Sequence, residues 1–296
     1  MADDVAFVGK KIFFLNPTYS IKNVVIPAIF DKEYETYIID NYHDAKAILR
    51  KNPESILFVN IDSQMTIFAW LSFLDSFKEE AALSKVCIGI FSDKISNEMK
   101  ERFFEMIKPA CGLLKTTLES TKLINSIVDV INMNGARGKR QFIRVMVVSD
   151  KNAELIVQWG SSMCRMKMLD ISSVGTAVQI PYQYKLMFQE KTMIPNVILK
   201  LGTITHTVNI AIYQIIERNG ASMAVTLFGN GTPLNVKNTI RTYIYDFLQN
   251  TMFTSINGEG PDETDYATLG KALEQELQNE AEVKKEEEKQ IPPPRK

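Results

Sequence analysis

Residues 134–148 read NGARGKRQFIRVMVV, and the hydrophobic pattern of the chain changes within this stretch. An Asn-Gly pair ends a helical pattern, and Ile143, Val145 and Val147 then place apolar side chains at every second position. Such period-two alternation is typical of a strand with one buried face, and it puts Arg144 on the other face. The stretch therefore predicts a domain boundary followed by an antiparallel sheet.

Upstream of this boundary, short apolar runs alternate with amphipathic helical patterns. Buried strands that alternate with helices predict a parallel sheet covered on both faces, reached by right-handed crossovers. We therefore expect an α/β domain over residues 1–134. Its predicted strands are 11–15, 34–40, 55–61, 85–91 and 111–115, and its predicted helices are 42–51, 65–79, 97–107 and 119–133.

Downstream of the boundary, period-two runs follow one another at short intervals. Asn219 and Gly220 form a dipeptide typical of a tight hairpin turn. We expect a small antiparallel β-barrel of six strands, followed by an amphipathic helix that begins near Asn235, in a domain over residues 135–255. The runs that predict strands are 154–159, 164–169, 175–180, 196–204, 206–217 and 221–228.

Residues 256–296 are rich in charge and poor in large apolar side chains. A segment of this composition buries too little apolar surface to offset its ordering entropy. We expect a charged tail that is disordered or folds only on a partner, with a partial helix over residues 265–288.

Composition and charge narrow the function classes. The formal net charge is −1, so no global field attracts nucleic acid or anionic lipid, and any attraction for an anion must be local. The N-terminus lacks the pattern of a signal peptide, and no apolar run reaches the length of about 20 residues that spans a bilayer. Three widely spaced cysteines fit reduced thiols better than disulfides. We expect a cytoplasmic protein without a membrane span.

The motifs of common enzyme classes are missing from the sequence. His43 and His206 are the two histidines, and they lie far apart in different predicted domains. The sequence contains no GxxxxGK[ST] loop, no HExxH motif and no CxxC pair. We therefore expect no catalytic residues, no metal site and no cofactor.

Two short motifs carry the binding chemistry. Arg140 and Arg144 are spaced as RxxxR at the start of the barrel, and Asp170, Ser172 and Gly175 follow as DxSxxG. Guanidinium groups bind phosphates bidentately and stack on purines, and a carboxylate accepts hydrogen bonds from guanine N1–H and N2–H. A hydroxyl can donate to a phosphate oxygen. The constellation predicts a site for an anionic, guanine-containing ligand.

This ordered pair of motifs resembles the PilZ domain, a bacterial receptor module for cyclic dimeric GMP (cyclic di-GMP). The resemblance covers residues 137–253 and implies a six-stranded barrel with a following helix. It also implies that Arg137 and Lys139 belong to a basic arm that closes over the ligand. Lys139 stands where many family members have arginine, so the sequence leaves open whether one ligand or an intercalated pair binds. The domain combination resembles spirochaete-type PilZ proteins, whose family is associated with motility.

The N-terminal domain resembles a response-regulator receiver. Ser92 and Lys115 follow the fourth and fifth predicted strands, as in a receiver, and Asp62 lies near the phosphoacceptor position. Asn16, however, stands where a receiver has an acidic pair that holds magnesium, and Asn60 accompanies Asp62 after the third strand, so only one carboxylate lies near the phosphoacceptor position. Loss of those carboxylates removes the main electrostatic support for magnesium binding and phosphoryl transfer. We expect a degenerate, receiver-like docking domain; the alternatives are a working receiver and an unrelated α/β fold.

The function predicted from the sequence is that of a non-enzymatic receptor. Binding of cyclic di-GMP would be passed to a protein effector, which the sequence does not identify, through rearrangement of the two domains. One alternative is a nucleic-acid-binding protein that uses the basic arm, although the neutral charge and the scarcity of exposed aromatic residues disfavour nucleic acid as a partner. The other alternative is a switch controlled by phosphorylation of the N-terminal domain.

Overall fold

The structure is a computed structural model, and it describes residues 9–218, 220–258 and 260–290. The described chain separates into two compact units. One holds the residues up to Lys139 together with those from Ser255 onward, and the other is Arg140–Thr254. The first unit is α/β, and the second is all-β with one α-helix and a 3₁₀ turn at Tyr182–Met187, so the predicted fold class is confirmed. The boundary between the units falls inside the predicted basic arm.

Within the described residues, the first unit contains a parallel sheet of five strands in the order β2-β1-β3-β4-β5. This is the strand order of the flavodoxin-like doubly wound fold. The first three strands are buried along their whole length, which explains why they read as continuous apolar runs in the sequence. The strands are β1 (Ile12–Leu15), β2 (Thr36–Ile39), β3 (Ile56–Asn60), β4 (Cys87–Phe91) and β5 (Leu113–Leu114).

Polar N-cap residues define where several helices of this unit begin. The side chain of Asn41 accepts a hydrogen bond from the backbone N–H of His43 (3.1 Å), and Ser96 accepts one from the N–H of Met99 (3.2 Å). A π-helical turn (Ile21–Val25) leads into α1 (Ile26–Phe30), and the further helices are α2 (Tyr42–Arg50), α3 (Ile67–Asp75), α4 (Asn97–Met106) and α5 (Ser120–Met133), with 3₁₀ turns at Ser76–Glu79 and Leu83–Lys85.

In the second unit, as far as it is described, six antiparallel strands close into a barrel in the order β8-β7-β10-β11-β12-β9. The barrel closes because β9 pairs with β12 on one side and with β8 on the other. A short additional strand, β6, pairs with the end of β8. The strands are β6 (Arg144–Met146), β7 (Glu154–Trp159), β8 (Ser162–Ser172), β9 (Gly175–Ile180), β10 (Met193–Leu201), β11 (Ile204–Arg218) and β12 (Ala221–Phe228).

The barrel core is filled by every second residue of the strands. On β8, the side chains of Cys164, Met166 and Met168 are fully buried and alternate with exposed neighbours. Gly220, at the turn between β11 and β12, has φ +77, as the predicted hairpin requires. Its predicted partner in the turn, Asn219, lies outside the described residues.

Helix α6 (Leu234–Ser255) follows the barrel, as predicted, and buries Ile240 and Ile244. The hydroxyl of Tyr243 donates to Asp150 Oδ2 at 2.7 Å, and burial together with this bond raises the Tyr243 pKa above its usual value. His206 Nε2 lies 3.1 Å from the hydroxyl of Thr239 on the helix. These side-chain bonds attach α6 to the barrel. None of the described helices combines the length and apolar character that a membrane span requires.

The C-terminal segment forms a helix, α7 (Tyr266–Gln290), whose first turns fold onto the first unit. Tyr266 is buried, and its hydroxyl donates to Asp262 Oδ2 at 2.7 Å. Gly270 lies so close to α3 that a Cβ atom there would meet the backbone nitrogen of Ala69 at 2.5 Å. The helix lies where the sequence predicted a partial helix within a disordered or partner-dependent tail. The chain itself orders the start of this segment, because the aromatic ring of Tyr266 and the small residue Gly270 fit the apolar surface of α3. Residues 291–296 lie outside the described residues.

Candidate functional site

Strand β6 brings the RxxxR motif beside the DxSxxG motif. It pairs antiparallel with the end of β8, so that Arg144 lies opposite Ser172 and Val145 lies opposite Ile171. Residues directly opposite each other project to the same side of the sheet. Val145 and Ile171 are buried in the barrel, so Arg144 and Ser172 lie on the outer face. Asp170, two residues before Ser172, lies on this outer face too.

A β-bulge turns Asp170 outward. Met166 and Met168 face the core, and strict alternation would place Asp170 on the core side as well. The pairing of β8 with β9 shifts its register between Met168 and Asp170, which adds one residue to β8 relative to β9. From Asp170 onward the alternation is reversed, and Ile171 takes the core position. The bulge therefore presents the Asp170 carboxylate on the same face as Arg144.

The two oxygens of the Asp170 carboxylate have different surroundings. Oδ1 accepts a hydrogen bond from the backbone N–H of Ala177 on β9 at 3.1 Å. Oδ2 lies 3.6 Å from Nη1 of Arg144 in an ion pair. The Asp170 side chain is 14% exposed and that of Arg144 is 45% exposed. The backbone bond thus orients the carboxylate, and Oδ2 is directed towards a solvent-accessible cation.

Ser172 and Gly175 shape the connection from β8 to β9. The Ser172 side chain is buried, and its hydroxyl donates to the Gly175 carbonyl at 3.1 Å. A Cβ atom on Gly175 would meet the carbonyl oxygen of Thr226 on β12 at 2.1 Å. Only glycine allows this approach between neighbouring strands. In the structure both residues hold the turn that carries Asp170, whereas the sequence suggested a phosphate contact for the Ser172 hydroxyl.

The basic arm is divided between the two units. Arg140 is exposed, and its guanidinium makes no hydrogen bond or ion pair with any residue in the described ranges. Lys139 is exposed as well, at the last position of the first unit. Arg137 is held within the first unit, where its Nε donates to the hydroxyl of Tyr34 at 2.8 Å and its guanidinium lies 4.9 Å from the ring centroid. The beginning of the arm is therefore held at Arg137 by contacts within the first unit.

The contacts that sequence reasoning missed come from distant parts of the chain. Tyr34 precedes Arg137 by 103 positions, and no local pattern marks it as a partner. The N–H of Ala177 is a backbone donor, so the residue type carries no signal of its role. Thr226 contributes its carbonyl oxygen in the same way. Strand pairing positions the backbone groups of Ala177 and Thr226, and the folding of the first unit brings Tyr34 to Arg137.

The carboxyl edge of the parallel sheet differs from a metal-dependent phosphoacceptor site. Asp62 Oδ2 accepts the backbone N–H of Asp93 at 2.8 Å, and Oδ1 accepts the hydroxyl of Ser92. Asn16 donates to the carbonyl of Asn60 at 2.9 Å, where an acidic residue would bind magnesium. Across the part of the chain that the structure describes, no group of three or more His, Cys, Asp or Glu residues could hold a metal ion.

The second carboxylate at this edge is also fully engaged. Asp93 accepts hydrogen bonds from the hydroxyl of Thr116 and from both the N–H and the hydroxyl of Thr117 (3.2 and 3.0 Å). Burial opposes the ionisation of Asp93, but these bonds outweigh it and lower the Asp93 pKa. Lys115 is exposed on the neighbouring loop. The edge thus carries a hydrogen-bond network around the carboxylates of Asp62 and Asp93.

Asp62 is accordingly expected not to become phosphorylated. Incubation of the full chain with radiolabelled acetyl phosphate and Mg²⁺ should leave the protein unlabelled, because both Asp62 oxygens are occupied and the magnesium ligands are replaced by amides. Mass spectrometry of the acetyl-phosphate-treated chain provides the readout. Label on Asp62 that is lost in Asp62→Asn would instead identify a working receiver.

No model of a known protein family matches the sequence, and a search of curated proteins finds no match. Among solved structures, the chain is similar to the PilZ domain with cyclic di-GMP of YcgR from Escherichia coli, at 16% identity and a TM-score of 0.33, over 40% of this chain and 98% of that one. It is similar to the MrkH–cyclic di-GMP complex of K. pneumoniae at 12% identity and a TM-score of 0.36, over 40% of this chain and 57% of that one. It is also similar to the chemotaxis protein CheY4 of Vibrio cholerae at 16% identity and a TM-score of 0.35, over 42% of this chain and 99% of that one.

Proposed function

We propose that this chain is a non-enzymatic receptor for cyclic di-GMP, which binds on the outer face of the barrel where β6, β8 and β9 meet. The observation that carries the proposal is the ion pair between Arg144 and Asp170, whose Nη1 and Oδ2 atoms are 3.6 Å apart on one accessible face. A cation and an oriented carboxylate at this separation match a ligand that presents phosphate and guanine next to each other.

The carboxylate supplies the preference for guanine. Asp170 Oδ1 is satisfied by the Ala177 N–H, and Oδ2 can exchange the Arg144 guanidinium for a donor on the ligand. Guanine offers N1–H and N2–H donors on one edge, whereas adenine has an unprotonated N1 and no amino group at C2. Arg144, released from Asp170, can then bind a phosphate or stack on the purine.

The basic arm supplies further phosphate contacts. Arg140 is exposed and precedes β6 by four positions, so it can reach a phosphate bound beside Arg144. Lys139 and Arg137 are further candidates, and Arg137 must leave Tyr34 to take part. Whether the arm closes over one ligand or over a pair depends on how many phosphates it can neutralise. A closing arm also provides the means by which binding is passed on to a protein effector.

Selective binding of cyclic di-GMP is the central expectation. Isothermal titration calorimetry of the full chain should show saturable binding of cyclic di-GMP and much weaker binding of cyclic di-AMP, GMP and GTP, because only the first ligand offers the guanine edge and two bridging phosphates together. Equal affinity for cyclic di-AMP would contradict the proposal that Asp170 supplies the preference for guanine. Binding of unrelated oligonucleotides with a steep salt dependence would favour a nucleic-acid-binding protein instead.

A fragment of residues 134–255 is expected to fold and to bind cyclic di-GMP by itself. The compact unit Arg140–Thr254 closes its own barrel and attaches α6 through its own side chains, so its core does not depend on the parallel sheet. Circular dichroism should show cooperative unfolding, and calorimetry should give an affinity close to that of the full chain. A folded fragment without binding would mean that residues of the first unit complete the site.

A further inference from the structure

A cavity of about 280 Å³ opens at the amino edge of the parallel sheet, the edge opposite to the one that carries Asn16 and Asp62. It is formed by the two 3₁₀ turns after α3, the beginning of β4 and the loop between α4 and β5. Its floor consists of apolar side chains that are largely buried in the first unit. These are Leu74, Phe77, Leu83, Val86, Ile88 and Ile107.

The rim of this cavity is cationic. Lys78 and Lys85 line it with side chains that are each 58% exposed. Their ion-pair partners, Asp75 and Glu54, are also accessible to solvent. Lys85 lies 3.7 Å from Glu54, so this ion pair is loose. Lys108 is exposed and makes no side-chain hydrogen bond or ion pair with any residue that the structure describes. None of the side chains that line the cavity is acidic.

Lys108 occupies its position at a conformational cost. It follows α4 with φ +52, and its backbone N–H donates to the carbonyl of Phe103 at 3.2 Å to close the helix. This left-handed position is favoured by glycine, and side chains with a Cβ atom adopt it rarely. A lysine here places a positive charge at the mouth of an apolar cavity, although a glycine would end the helix more easily.

We propose that this cavity binds a monoanionic amphiphile, specifically a free medium-chain carboxylate. Since one water-sized group takes about 30 Å³, the cavity accommodates on the order of nine non-hydrogen atoms. The alkyl chain lies against Ile88 and Ile107, and the carboxylate lies at the rim near Lys85 and Lys108. An apolar floor with convergent cations selects for this class, because an amine would meet like charge and an alcohol would lack the ionic contact.

Cys87 provides a reporter inside the cavity. It lines the cavity, is half-buried, and lies 3.5 Å from the ammonium group of Lys10. Cys111 and Cys164, the other cysteines of the sequence, are buried, and burial raises their thiol pKa values to about 12 and about 11. Alkylation near neutral pH is therefore expected at Cys87 first, and a ligand in the cavity shields it.

The experiment measures the rate of iodoacetamide alkylation of Cys87 in the full chain, with the modified residue identified by peptide mass spectrometry. Octanoate at ten times its half-saturating concentration should slow alkylation by about tenfold, as competition by mass action requires. Octylamine and octan-1-ol should slow it much less at the same concentration. Equal protection by octan-1-ol, or no protection by octanoate below its micelle concentration, would overturn the proposal.

Two exposed alanines supply a matched pair of variants. Ala110 lines the cavity and Ala81 does not, so Ala110→Trp should abolish the protection by octanoate relative to its own basal rate, and Ala81→Trp should leave it unchanged. Lys108→Glu should weaken the binding of octanoate by about fivefold or more without weakening the binding of octan-1-ol. Full protection in folded Ala110→Trp would place the ligand elsewhere and would reject this site.

Discussion

Arg144→Ala is expected to weaken the binding of cyclic di-GMP by about 10- to 100-fold. A hydrogen bond to a charged group contributes about 1.5–3 kcal/mol, and each 1.4 kcal/mol corresponds to about a factor of ten in affinity. Calorimetry measures the loss directly. The thermal midpoint without ligand should change little, because the Arg144 side chain is 45% exposed and an exposed ion pair contributes only about 0–1 kcal/mol.

Arg165→Ala is the matched control for this prediction. Arg165 also projects outward from the barrel, is 58% exposed and forms an ion pair with Glu154 at 3.2 Å, but it lies outside both motifs. The Arg165→Ala variant should bind cyclic di-GMP with the affinity of the unmodified chain and keep the ligand-induced rise of the thermal midpoint. Arg140→Ala is expected to resemble Arg144→Ala. If both motif variants keep the full ligand-induced rise, the basic arm is an ordinary solvated surface and the proposed site is wrong.

Gly175→Val is expected to lower the free energy of unfolding of the barrel by about 3 kcal/mol or more, at the upper end of what overpacking costs. The new Cβ atom would lie 2.1 Å from the carbonyl oxygen of Thr226, and a backbone atom in a paired strand cannot move aside as a side chain does. The clash forces apart β9 and β12, and the pairing of these two strands helps to close the barrel. Thermal unfolding followed by circular dichroism measures the change.

Gly231→Ala is the corresponding control. Gly231 lies in the same unit, and a Cβ atom there meets no other atom within 4 Å. This variant should unfold at the temperature of the unmodified chain. Gly175→Val should also lose ligand binding, since the turn that it distorts orients Asp170 through Ala177. An unchanged unfolding temperature in Gly175→Val would show that the two strands separate more easily than the geometry indicates.

The order and type of the strands were predictable because they depend on local periodicity. Continuous apolar runs in the first unit and period-two runs in the second arise from burial on two faces and on one face, respectively. The C-terminal helix lies where the sequence predicted a partial helix, but its attachment to α3 was not predictable in the same way. Its attachment rests on Tyr266 and Gly270, two residues whose fit to α3 depends on a surface far away in the sequence.

The candidate site shows the same division. The residue types and spacing of RxxxR and DxSxxG are sequence properties, and they alone indicate a ligand that carries phosphate and guanine. They do not tell which face of β8 presents Asp170, because alternation counted from the core residue Met168 points it inward. The bulge reverses that direction, and a bulge is a property of the pairing of two strands.

The amino-acid sequence by itself determined the two fold classes and the residues of the two motifs, since each follows from local periodicity or composition. Tertiary structure alone decided that Arg144 pairs with Asp170, that Ser172 bonds within the turn and that Arg137 binds Tyr34. The physical reason is that hydrogen bonds and ion pairs extend over about 3–4 Å in space. Residues come within that distance through strand register and chain folding, neither of which a single position in the sequence records.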